Sequence, residues 1–227
     1  GWSVGAVTSV PVSHATPAAS YAHNVHRLDY QDLTRDLLGL PSVTHPDRPL
    51  SGLDVLIGTG AGSETQESSD QGANFVPGNI YLTQKDLEAI DVRKGGRYVV
   101  AARSKNQEGW ESLRNAAATA VTQHQRLFGF FGVPSTKHLP FETANGDYLP
   151  ATDNSKNSET YTSEDLKENP TLAQMTEAAI QVLSTNPKGF WLLVEPGDVD
   201  WASHDNNLDN AIGAINSGDA AFRTVTE

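Results

Sequence analysis

The sequence predicts an α/β fold of three layers, α/β/α, around a mainly parallel central sheet. Two observations carry this. Strand-like apolar runs alternate with helical patterns along the 227 residues, and several of those runs are apolar almost without interruption, as strands covered on both faces are. A third observation sets one region apart. Residues 133–169 are polar and rich in Pro, Asn, Thr and Ser, so a cap or insertion lying outside the core is expected there, within a single domain spanning 1–227.

The elements follow in order. "SVGAVTSVPV" mixes small and β-branched residues and reads as a strand. Tyr30, Leu33, Leu37 and Leu38 share one face of a short helix at 29–38. "LDVLIGTGAG", 53–62, is a strand running into a Gly-rich turn. That turn is open to two readings, a strand-end turn or a phosphate-cradling loop without the lysine such loops carry. Residues 63–79 read as loop. Thr83 caps a helix opened by "TQKDLEAI". "GRYVVAAR" is a strand, "GWESLRNAAATAV" a helix, and "RLFGFFG", 126–132, another strand. "NPTLAQMTEAAIQVL", 169–183, is the clearest helix, with Asn169 as cap, Pro170 in the first turn, and Leu172, Met175, Ala179 and Val182 as its stripe. "FWLLVE" ends the series as an apolar strand. "GWSVGAVTSV" reads as a strand with no leading cap and "GDAAFRTVTE" as a helical pattern still running. An incomplete sheet, exposed sheet edges and poor solubility are therefore expected, from the middle portion of a longer protein.

Composition narrows the function. The net charge is −12, and the isoelectric point is about 4.9. No excess of Lys or Arg exists to neutralise phosphates, so neither a nucleic acid nor an anionic membrane surface is expected as partner. No apolar run reaches membrane-spanning length, and no segment reads as a signal peptide. There is no cysteine. Thiolate metal sites, disulfides and Cys nucleophiles are thereby excluded, and any metal falls to His, carboxylate and hydroxyl groups.

Ionisable residues crowd one stretch, "VEPGDVDWASHD" at 194–205, immediately after the last apolar strand. Glu195 stands at the carboxyl end of that strand, where ligands collect in open α/β sheets. Asp200 and His204 are four apart, so a helix starting near 200 presents both on one face. Carboxylate with imidazole suits Zn²⁺, and carboxylate with hydroxyl suits Mg²⁺. A solvated loop is the alternative, and Asp198 and Asp205 read as ordinary loop and surface acids. A second stretch, "SHATPAASYAHNVHR" at 13–27, also follows a strand. It offers His14 and Thr16, and an Arg27 able to grip a phosphate through two parallel hydrogen bonds.

Together these segments resemble the alkaline phosphatase family. "VGAVTSVPVSHATPAASYAHNVHR" is similar to its strand, its "H/D-A-T/S-P-A" turn and the helix with a phosphate-binding arginine. "LDVLIGTGAG" is similar to a further strand and turn. "NPTLAQMTEAAIQVLSTNPKGFWLLVEPGDVDWASHDNN" resembles the longest and most specific segment. The resemblance weakens at 63–95 and 133–165, and Pro196 stands where the family has Gly. It implies Thr16 and Glu195 as Mg²⁺ ligands, Asp200 and His204 as ligands of one Zn²⁺, and Arg27 as the phosphate clamp. His14 and Trp201 would stand beside the metals, as in a bacterial subset of the family. It also implies hydrolysis of small phosphate monoesters through a phosphoserine, a homodimeric full-length parent, and periplasmic or secreted placement.

The same resemblance exposes what is missing. The family's nucleophile lies in an Asp-Ser-Ala turn, and that tripeptide does not occur here. No histidine follows His204, so the second zinc's ligands are absent too. Ser13 and Ser203 neighbour the matched residues but fall outside the nucleophile motif. The chain by itself is therefore expected to be inactive. Two other readings stand beside the phosphomonoesterase: a phosphodiesterase or sulfatase-like hydrolase of the same superfamily, and a non-catalytic metal- or phosphate-binding module.

Overall fold

A computed structural model describes residues 1–66, 71–72, 74–149 and 159–226. Five strands form one parallel sheet: β1 (Ser3–Pro11), β2 (Val55–Thr59), β5 (Tyr98–Ala102), β6 (Arg126–Phe131) and β7 (Phe190–Glu195), in the spatial order β5-β6-β2-β1-β7. The remaining pair, β3 (Glu64–Thr65) and β4 (Gly78–Asn79), makes a two-stranded antiparallel ladder within the segment expected to be loop. The helices are α1 (Ala15–Ala19), α2 (Tyr30–Leu38), α3 (Gln84–Ile90), α4 (Gly109–Gln123), α5 (Ser163–Lys167), α6 (Leu172–Leu183), α7 (Asp198–His204) and α8 (Leu208–Thr226), with a 3₁₀ turn at Val92–Lys94.

Alternation along the strands divides the interior in two, because successive side chains point to opposite faces. Val7, Val55, Ile57, Leu127 and Phe131 face one way and pack with Leu113, Ala117, Met175 and Ala179 of α4 and α6. Ala6, Leu56, Phe128 and Phe130 face the other and pack with Leu37 and Leu38 of α2 and Ile90 of α3. The expected α/β/α layering follows directly. Gly129 occupies a point of close approach: a Cβ there would stand 2.7 Å from Ile57 Cγ2 on the neighbouring strand.

The α6 stripe is as expected: Leu172, Met175, Ala179 and Val182 are all buried. Its cap is not. Thr171, rather than Asn169, caps α6, its hydroxyl accepting from the Gln174 N–H while the Gln174 side chain accepts from the Thr171 N–H. Asn169 instead bridges two segments, accepting from the Gly132 N–H at 2.6 Å and donating to the Asp165 carbonyl at 2.8 Å. Both are capping-type residues. The one placed at the turn won, because Asn169 found partners elsewhere.

Within 133–169, residues 150–158 lie outside the described residues. The described part sends Leu139 into the α4/α6 core and buries Phe141, and it contains α5, which the polar composition did not suggest. Arg103 at the end of β5 ties α5 down, pairing with Asp165 at 2.8 Å and Glu168 at 3.0 Å.

Candidate functional site

β1 and β7 lie side by side and parallel, with Thr8 registered against Glu195. The chain leaves their carboxyl ends in opposite directions. From β1 it passes through α1 to α2 on one face of the sheet; from β7 it passes through α7 to α8, which packs on α6 on the other face. Divergence of this kind opens a crevice at the strand ends, the usual ligand position in such sheets.

Residues from both loops meet there. The His14 ring lies edge-on to Trp201 at 5.3 Å and stacks on Tyr30 at 6.1 Å. Burial lowers the proton affinity of His14, and the nearby positive charges of Arg27 and Lys137 lower it further, against the opposing pull of Asp200. His14, Arg27, Asp200 and Trp201, residues from the two ends of the sequence, thus form one neighbourhood. Asp200 and His204 sit on one face of α7, Oδ1 to Nε2 3.6 Å apart, both well exposed.

Glu195 ends β7, and its carboxylate accepts from the Thr8 hydroxyl at 2.6 Å. Thr16 lies exposed in α1; among the described residues no hydrogen bond joins it to Glu195. Arg27 is exposed in the turn before α2 rather than inside a helix, and among the described residues it has no ion-pair partner. Its donors are therefore available to an anion. Ser13 is fully buried beside His14 with no hydrogen-bond partner among the described residues, and the Ser203 hydroxyl donates to the Val199 carbonyl. Neither is presented as a nucleophile.

Asp198 departs from its expected place as a surface acid. It is 2% exposed, and its carboxylate accepts a short hydrogen bond from the Ser9 hydroxyl on β1. Burial raises its proton affinity against that bond, with Glu195 adding to the rise and His138 opposing it. Asp205 is only part-buried, at the carboxyl end of α7. His138, which no pattern in the sequence singles out, is also buried. Its ring stacks on Phe141 at 3.8 Å and stands edge-on to Trp201 at 5.2 Å, while Nε2 lies 2.9 Å from Glu159 Oε1. A lone His in a polar segment carries no such signal, since nothing local records that Glu159 and Trp201 will reach it.

The donor set fits a metal in part. Asp200 and His204 offer a carboxylate and an imidazole, ligand types that zinc takes. Among the described residues, no group of three or more His, Asp or Glu gathers closely enough to enclose an ion, so Asp200 and His204 stand as a pair only. A cavity of about 990 Å³ lies elsewhere, lined by Arg35, Phe75, Leu87 and Phe130 among others. None of Thr16, Arg27, Glu195, Asp200 and His204 lines it.

Comparison with known proteins bears on the fold and the family. The family model described as alkaline phosphatase matches residues 1–227. Alkaline phosphatase 4 of Bacillus subtilis is 26% identical over the whole chain, which covers 37% of that protein. The human tissue-nonspecific isozyme is 27% identical, with all of this chain matched to 41% of it. The chain thus spans well under half the length of these relatives. Among solved structures, the cold-active alkaline phosphatase of Shewanella sp. superposes with a TM-score of 0.61 at 22% identity, over 99% of this chain and 39% of that one. The enzyme of the Antarctic bacterium TAB5 gives 0.59 at 21%, over 99% and 48%; a variant of it has been solved with Mg bound in its M3 site. With the whole length matched by one family model and the same layered sheet in the solved structures, the chain belongs to the alkaline phosphatase family.

Proposed function

We propose that this chain supplies one half of a metal-dependent phosphomonoesterase site, with Asp200 and His204 as zinc ligands and Arg27 as the phosphate clamp. The carrying observation is the meeting of the β1 and β7 ends, which brings His14 and Arg27 into the electrostatic neighbourhood of Asp200 and Trp201. Bound there, zinc would lower the pKa of an oxygen nucleophile and offset charge on the phosphoryl group. Arg27 would hold two non-bridging oxygens by parallel N–H bonds. Burial and the charge of Arg27 both lower the proton affinity of His14, which disfavours a second cation at the metal's place. Trp201 stands edge-on to His14 beside the site. Thr16 and Glu195 serve as Mg²⁺ ligands in the same reading, with Thr8 orienting the Glu195 carboxylate. Activity on small phosphate monoesters, a homodimeric parent and periplasmic or secreted placement belong to the same proposal, and rest on family membership.

Zinc titration of the 227-residue chain tests the ligand assignment. Binding should weaken at least tenfold in Asp200→Asn and in His204→Ala, as loss of one of two ligands requires. Unchanged affinity in both variants would refute it. Lacking an Asp-Ser-Ala nucleophile, the chain alone should show no zinc-dependent hydrolysis of p-nitrophenyl phosphate; measurable turnover would show that the nucleophile lies within these residues.

A further inference from the structure

α7 is seven residues long and carries Asp200, Trp201 and His204. A helix this short is not stable by itself, so something outside it must hold its ligand pair in register. Its amino end is fastened to β1. Asp198, the first helical residue, accepts from the Ser9 hydroxyl, and its own N–H donates back to the same oxygen at 3.3 Å. Ser9 and Asp198 are both almost fully buried and lie 189 residues apart in sequence. A single bond would leave the first turn free to pivot; this reciprocal pair fixes its direction as well as its position. The neighbouring Gly197 sits so close to β1 that a Cβ would stand 2.6 Å from Val10 Cγ2. Asp200 lies in that same first turn, and Trp201 follows it between the rings of His14 and His138.

We infer that Asp198 is a positioning residue, acting through Ser9 to hold the first turn of α7 so that Asp200 and His204 present a common face to a metal beside His14. This inference rests on the zinc-ligand reading of Asp200 and His204. Without the tie the first turn frays, and Asp200 moves independently of His204.

Two readouts on the 227-residue chain test it. One is zinc affinity by calorimetric titration with zinc chloride. The other needs no metal: the indole N–H resonance of Trp201, assigned by its loss in Trp201→Phe. Ser9→Ala and Asp198→Ala should each weaken zinc binding about tenfold, the scale on which groups that orient metal ligands act. Both should shift or broaden the Trp201 resonance while leaving that of Trp110 in place, and Ser9→Thr, which keeps the hydroxyl, should restore both readouts. A general loss of stability would move both indole resonances together. If Ser9→Ala does not fold, Asp198→Ala carries the same test. Parental zinc affinity and an unmoved Trp201 resonance in the folded variants would overturn the inference. If the parent chain binds no zinc, the ligand reading fails, and the Trp201 resonance alone decides for or against the tie.

Discussion

At the scale of single residues, what matters most is which charges are buried and who answers them. Arg103 is the sharpest case. Its guanidinium is 13% exposed and answers both Asp165 and Glu168 while donating to the Gly132 carbonyl at 2.9 Å. Arg103→Met would strand two carboxylates, and a loss of about 3 kcal/mol is expected in urea unfolding, the usual penalty for an uncompensated buried charge. The effect depends on pH with a definite sign. Burial alone would raise the Asp165 carboxyl, but hydrogen bonds from the Thr162 N–H and hydroxyl and from Arg103 outweigh it and hold it below its ordinary value. A carboxyl depressed on folding contributes stability above the unfolded pKa of about 3.9, and that contribution is lost as pH falls through the folded value. Melting curves from pH 7 down to 3 should therefore show the gap between parent and Arg103→Met narrowing below about pH 4. A constant gap would mean the arginine stabilises by packing alone.

At the scale of elements, boundaries are decided by caps and by close approach. The reciprocal Thr171–Gln174 bonds satisfy the amino end of α6, so Thr171→Ala should cost about 1 kcal/mol, whereas the same measurement on Asn169→Ala reports the Gly132 and Asp165 bridge instead. In the sheet, β6 approaches β2 at Gly129. Gly129→Ala would press a methyl into Ile57 and should destabilise by about 2 kcal/mol, as overpacking a core does. A fall in thermal midpoint checks it; an unchanged midpoint would show that Ile57 gives way. The Leu172, Met175, Ala179 and Val182 period was legible in the sequence, because helix spacing is a local property. Asp198 was not. An Asp after Pro-Gly looks alike whether it faces water or a serine 189 residues away.

For the molecule as a whole, one flank is left apolar. β7 forms an edge of the sheet with Trp191 44% exposed, and α8 exposes Leu208, Ile212, Ile215 and Phe222 at helical spacing. A strand edge beside an apolar stripe is an association surface. The chain should self-associate as its concentration rises, and the double variant Ile215→Lys with Phe222→Lys should remain monomeric in sedimentation velocity at concentrations where the parent does not. Equal self-association of the two would place the contact elsewhere.

The sequence by itself determined the class of fold, the order of most elements, the family and the residues offered for chemistry. The family rests on the resemblance of whole segments; the rest depends on short-range spacing: period two or near continuity for strands, period 3.6 for helices, an i, i+4 step from Asp200 to His204. Tertiary structure alone decided which offers meet. It set β1 beside β7, so that His14 found Trp201 and Ser9 found Asp198. It gave Glu195 the hydroxyl of Thr8, not that of Thr16, as hydrogen-bond donor, and it brought His138 up behind the site. The reason is physical. Strand pairing joins segments nearly two hundred residues apart, and nothing in the local composition of either segment records its partner.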